Sequence, residues 1–178
     1  GPIFADDVRA ARNIMATTTI PMIAFSTDMS VASLGTFIMG VLPQDQARHI
    51  AAFAAGRGAR NTLLIAPNDP YGQLMVHTYS LTFRGAGGIT TGPLWIDAND
   101  TDESIAPRIA SALSNSNSIK VDSIFLPLPT ARATRLAQAV SRFMGSTQPM
   151  ILGTGAWDDV DASASPALSG AFFAAPVS

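Results

Sequence analysis

Apolar positions along the chain fall into two rhythms. Short apolar runs at residues 20–25, 36–42, 62–66, 121–126, 149–152 and 171–174 predict strands, and those at 62–66 and 121–126 have no polar side, as in a sheet covered on both faces. A further extended stretch, 89–96, is interrupted by Gly92-Pro93, which demotes its middle toward a sheet edge or a bulge. Between these runs the spacing changes to that of helices. Residues 4–18 place Asp6 and Asp7 in the first turn, where the helix dipole favours negative charge, and repeat Val8, Ala11 and Met15. Residues 43–55 repeat Ala47, Ile50, Ala51 and Ala54, and Gly56 and Gly58 end the helix. Residues 71–84 predict a helix with Leu74, Thr78 and Leu81 inward, stopped by Gly85-Ala-Gly-Gly88. Met75 is assigned to the core as well.

Two more helices follow. Ser104 is a suitable N-cap, placing Pro107 in the first turn, and Ile105, Ile109, Ala112 and Leu113 form the buried stripe. A linker at 115–118 separates it from the next strand. Thr130 caps a helix running to Met144 whose inward stripe is Ala133, Leu136, Ala137, Val140 and Phe143, with Arg132, Arg135 and Arg142 on a solvated face and Gly145 closing it. Predicted strand starts near 61, 89, 121 and 149 recur at about 30 residues, the length of one βα unit. The fold class is therefore α/β with a parallel sheet flanked by helices.

Composition agrees, with 47% hydrophobic and only 13% charged residues. A net charge of −2 without a basic cluster excludes nucleic acid as a partner. With no cysteine there is neither a disulfide nor a thiolate nucleophile. No apolar run approaches the roughly 18 residues of a membrane span, and no signal segment opens the chain.

In an open parallel sheet, ligands sit beyond the carboxyl ends of the strands, which directs attention to the turn Pro67-Asn-Asp-Pro70 and to Tyr71 behind it. Tyr71 could offer its ring and hydroxyl to a ligand, or could be a tyrosine half-buried at a helix start. Asp69 reads as a turn or cap residue. The hydroxyls of Ser26 and Thr27, in a loop directly after a strand, could hold a ligand, and Asp28 could instead cap a short helix at 29–34. Gly153-Thr-Gly-Ala-Trp-Asp158 lacks the third glycine of a dinucleotide fingerprint, and no cofactor is expected. Trp157 either stacks on a ligand or fills a pocket, and Asp158 or Asp159 offers a carboxylate beside it. His49 and His77 show no metal-ligand spacing; Asp45 and His49 at i, i+4 read as a surface pair. No nucleophile–base pair supports an enzyme.

Together, Gly1-Pro2 before a helix, Ile20-Pro-Met-Ile-Ala-Phe-Ser-Thr-Asp28, the strand–acidic turn–Tyr71-Gly72 stretch and Ile151-Leu-Gly-Thr-Gly-Ala-Trp-Asp158 resemble the type I periplasmic solute-binding proteins of the branched-chain amino-acid class. The phrases Ala24-Phe-Ser-Thr-Asp28 and Gly153-Thr-Gly-Ala-Trp-Asp-Asp159 resemble more closely the penicillin-binding-protein activator lipoproteins. The resemblance implies two lobes: residues 1–42 as part of an N-terminal lobe that is incomplete in this chain, 43–170 as the second lobe, and 171–178 as a strand crossing back. It also implies a periplasmic, non-catalytic domain that holds a small polar, amino-acid-like ligand in an inter-lobe cleft through Ser26, Thr27, Asp28, Tyr71, Trp157 and Asp158. Its partner would be a membrane permease, with lipid anchoring through a segment outside this chain. The activator version implies instead an interaction module whose partner is a penicillin-binding protein. Two residues depart from the amino-acid receptors. Asp28 stands where they carry a threonine and would repel a ligand carboxylate, and Gly155 stands nearest their acidic partner for the ligand amino group.

Overall fold

A computed structural model of the chain describes residues 7–11, 22–24, 36–38, 42–114, 119–144, 149–155 and 171–174. Two compact units are present, Gly1–Pro43 with Val177 and Gln44–Pro176 with Ser178. In the smaller, residues 7–11 are helical (α1) with Val8 fully buried. There β1 (Met22–Ala24) pairs in parallel with β2 (Thr36–Ile38), Met22 opposite Thr36.

The helix α2 (Pro43–Gly56) carries the chain into the larger unit and buries the predicted stripe of Ala47, Ile50, Ala51 and Ala54. There follow β3 (Asn61–Pro67), α3 (Pro70–Gly85), β4 (Ile89–Ile96), α4 (Asp102–Ser114), β5 (Ser123–Phe125), α5 (Thr130–Met144), β6 (Met150–Gly153) and β7 (Phe172–Phe173). The five strands form one parallel sheet in the order β4-β3-β5-β6-β7. From β3 the chain steps to β4 on one side and then to β5 on the other, so the sheet is wound in both directions from β3.

Successive side chains of β3 explain why its run has no polar side. Leu63 and Ile65 face one cluster with Ile105 and Ile109 of α4 and Ala133, Leu136, Ala137 and Val140 of α5. Leu64 and Ala66 face the other cluster, with Ala47, Ile50 and Ala51 of α2 and Met75, Tyr79 and Phe83 of α3. Helices cover both faces, and every residue of β3 from Asn61 to Ala66 is buried. β4 is an edge strand with a register irregularity opposite Leu63 and Ile65 and a positive φ at Gly92, where the Gly-Pro break was expected.

Three helical expectations are corrected. In α3 the inward face is Met75, Val76, Tyr79 and Phe83 with Thr78; Leu74 and Leu81 are 41% and 62% exposed. The rotation of this helix is set at its first turn. A Cβ on Gly72 would stand 1.9 Å from the Pro67 carbonyl oxygen, so only glycine lets the turn lie this close to the end of β3. With Gly72 against the strand, Tyr79 and Phe83 point into the core. α4 begins at Asp102, because Thr101 and not Ser104 receives the first amides: Ser104 N–H reaches Thr101 Oγ1 at 3.3 Å, and Ile105 N–H reaches the Thr101 carbonyl at 3.1 Å. Pro107 consequently lies beyond the first turn, inside the helix. Thr130 is already the first residue of α5, and the Pro129 carbonyl before it accepts from Arg132 and Ala133. The linker at 115–118, Gly145 and the Phe143 side chain lie outside the described residues.

Candidate functional site

The carboxyl end of β3 is built to hold Tyr71 in place. Asn68 N–H donates to the Ile96 carbonyl at 2.8 Å and its side-chain amide to Asp97 Oδ1 at 2.7 Å, tying the turn to the end of β4. Asp69, in extended conformation, is the N-cap of α3: its Oδ1 accepts Gly72 N–H at 2.7 Å, with Pro70 in the first helical turn, where a missing N–H costs nothing. Its carboxylate is thereby committed to the backbone, which settles its turn-or-cap reading.

Tyr71 follows directly. It is 36% exposed, and its hydroxyl lies 3.4 Å from Thr154 Oγ1, just past the end of β6. Because β5 sits between β3 and β6, this contact spans the carboxyl end of β5, over the place where the winding of the sheet reverses. Thr154 is fully buried and supports the hydroxyl of the partly exposed Tyr71 from within. Burial raises the phenol's pKa, the Thr154 hydrogen bond offsets part of the rise, and the negative charge of Asp69 adds to it. Tyr71 is therefore a neutral group at neutral pH, able to donate and to accept.

A second tie holds the Thr154 side. Gly155 N–H donates to Gln46 Oε1, from the first turns of α2, at 2.8 Å. Thr154 and Gln46 are the two residues here that motif reading did not single out. Thr154 lies inside the quoted glycine-containing stretch, whereas Gln46 carries no local signal, because its partner is 109 residues away.

Of the other expected site residues, Ser26, Thr27, Asp28, Trp157 and Asp158 lie outside the described residues, as does Asp159. Asp45 pairs with Arg48, which corrects the Asp45–His49 reading. His49 instead lines an apolar depression of about 330 Å³ with Ile50, Phe53, Phe172, Phe173 and Ala174. The arginine face of α5 is not simply solvated: Arg135 pairs with Asp102, and Arg132 donates to the Asp100 carbonyl at 2.8 Å. Among the described residues no three His, Cys, Asp or Glu side chains gather to hold a metal, and no helix is long and apolar enough to cross a membrane.

One known family matches the whole chain. The family model described as periplasmic binding protein aligns with residues 1–178. The chain belongs to this family. Solved structures agree on the type I fold of these binding proteins. A putative branched-chain amino acid ABC transporter protein from Rhodospirillum rubrum superposes with a TM-score of 0.71 at 14% identity, covering 94% of this chain and 55% of that one. An ABC-transporter solute-binding protein from R. palustris in complex with 4-hydroxybenzoate gives 0.61 at 18% identity, over 86% of this chain and 42% of that one. An ABC transporter substrate-binding protein from Desulfitobacterium hafniense in complex with Leu gives 0.64 at 15% identity, over 89% and 46%. This periplasmic binding protein chain thus spans about half the length of the solved relatives it matches. No curated protein matches the sequence.

Proposed function

We propose that this chain is the solute-binding part of an extracytoplasmic receptor that serves an ABC-type transporter, and that it binds a small molecule without transforming it. The observation that carries the reading is the placement of Tyr71: a partly exposed aromatic ring at the carboxyl ends of a parallel sheet, where its winding reverses, with its hydroxyl on a buried threonine. A neutral ring and hydroxyl suit an apolar or aromatic ligand with one polar substituent. Leucine, benzoate and 4-hydroxybenzoate, the first and last bound by the relatives above and the second by another R. palustris solute-binding protein, are the natural first probes. Ser26, Thr27, Asp28, Trp157 and Asp158 are proposed as further contacts.

Isothermal titration of the receptor with these three compounds tests the reading. Saturable binding of one of them, weakened at least about tenfold (about 1.4 kcal/mol) by Tyr71→Ala, supports it. Binding that Tyr71→Ala leaves unchanged removes Tyr71 from the site, and the absence of any binding to these or to a wider panel of solutes overturns the receptor reading.

A further inference from the structure

Gly155 is crowded from two directions at once. A Cβ built there would lie 3.2 Å from Gln46 Oε1, 3.4 Å from Gln46 Nε2 and 3.4 Å from the Ala174 carbonyl oxygen. Gln46 comes two residues after Gln44, where the larger unit begins, and Ala174 two residues before Pro176, where its continuous run ends. The chain therefore brings both ends of the larger unit against one residue, and that residue is the neighbour of Thr154.

We propose that Gln46 is a positioning residue for the binding face: by accepting Gly155 N–H it holds the turn after β6 and so keeps the Thr154 hydroxyl against Tyr71. The inference rests on the reading of Tyr71 as part of a binding face, and adds to it a residue that touches no ligand. The chain of contacts is continuous. Gln46 Oε1 accepts from Gly155 at 2.8 Å, Gly155 follows Thr154, and Thr154 Oγ1 meets Tyr71 at 3.4 Å. The last link is long for an O–H···O bond, so a small displacement of the turn breaks it. The first link is short, spans 109 residues and is half-shielded from water, which makes it the firmer of the two. An intact Gln46 bond thus presets the Tyr71 hydroxyl before ligand arrives.

The test needs no ligand, which separates it from failure of the receptor reading. Tyr71 and Tyr79 are the two tyrosines of the chain, and NMR of ring-labelled tyrosine follows their ionisation separately. Amide exchange reports the Gly155 N–H directly. In Gln46→Ala and in Gln46→Met, which keeps the side-chain length without the acceptor, Gly155 exchange accelerates by about tenfold, as expected for loss of one hydrogen bond. The Tyr71 ionisation midpoint rises in both, because the Thr154 hydrogen bond that lowers it is released, while Tyr79 stays where it is. Gln46→Glu retains an acceptor and keeps Gly155 exchange at the parent rate. Unchanged Gly155 exchange in Gln46→Met overturns the inference, and so does faster exchange with an unmoved Tyr71. Should neither acceptor-less variant fold, the parent chain decides: a protected Gly155 amide supports the tie, and exchange at the rate of an open peptide refutes it.

Discussion

The phenolic oxygen of Tyr79 lies 2.9 Å from Thr62 Oγ1, joining α3 to β3 inside an otherwise apolar layer. Thr62 Oγ1 is in turn 2.8 Å from Ser123 Oγ, and Ser123 lies 2.9 Å from Asp122 Oδ1. Each hydroxyl has one proton. Ser123 donates to the Asp122 carboxylate, the stronger acceptor, so Thr62 donates to Ser123 and Tyr79 to Thr62. The chain of donors runs one way and ends on a carboxylate that also receives Arg60 N–H at 2.8 Å. Thr62 pairs with Ser123 in the β3–β5 register, so a slip of one residue would break the relay.

Removing the middle of this relay is more damaging than removing its end. Thr62→Val leaves the Tyr79 hydroxyl buried without an acceptor and is expected to cost about 1–3 kcal/mol, whereas Tyr79→Phe loses one bond and costs about 0.5–1.5 kcal/mol. The double variant is less destabilised than the sum of the two. Denaturant unfolding of all three variants checks this, and additive losses would contradict the relay.

Alkaline pH should weaken the fold. Tyrosine ionises near pH 10 in the unfolded chain, and burial raises both Tyr71 and Tyr79 above that value in the folded one. Between the two, the unfolded state has fewer protons bound, so stability falls as pH rises and is fully retained below pH 10. Tyr79 alone contributes a slope of about 1.4 kcal/mol per pH unit in that window. Tyr79→Phe should flatten the profile above pH 10, measured as melting temperature against pH.

The rotation of α3 can be read from two substitutions. Leu81→Gln changes a 62%-exposed side chain and should shift stability by no more than about 0.5 kcal/mol. Phe83→Ala removes a fully buried ring tilted against Tyr79, at 5.5 Å between centroids, and should cost about 3–5 kcal/mol. Comparable losses in the two variants would mean that the helix sits in the other register.

Gly72→Ala should be destabilising by about 3 kcal/mol, since its methyl group would meet the rigid Pro67 carbonyl and the backbone must shift. Gly56→Ala, with nothing within 4 Å of the added group, is the control and should gain about 0.4–1 kcal/mol. Thermal melts of the pair separate a close approach from a general dislike of helical alanine.

The hydrophobic pattern alone determined the α/β class, the order of the elements and most of the core. The stripes of α2, α4 and α5 and the two-sided burial of β3 follow from local period, and period survives whatever the partners are. The rotation of α3 did not follow, because Leu74 and Leu81, which are exposed, share helical spacing with the buried Thr78 as well as Met75, Tyr79 and Phe83 do. Only the contact between Gly72 and the end of β3 chooses between the two faces. The site divides in the same way. The position of Tyr71 at the end of β3 was legible because a turn at a strand's carboxyl end is a local feature, and so was the capping role of Asp69. Thr154 and Gln46 became visible only when the order of the strands set the end of β6 beside the starts of α2 and α3. Hydrogen bonds between residues 83 and 109 positions apart leave no trace in the spacing of either partner.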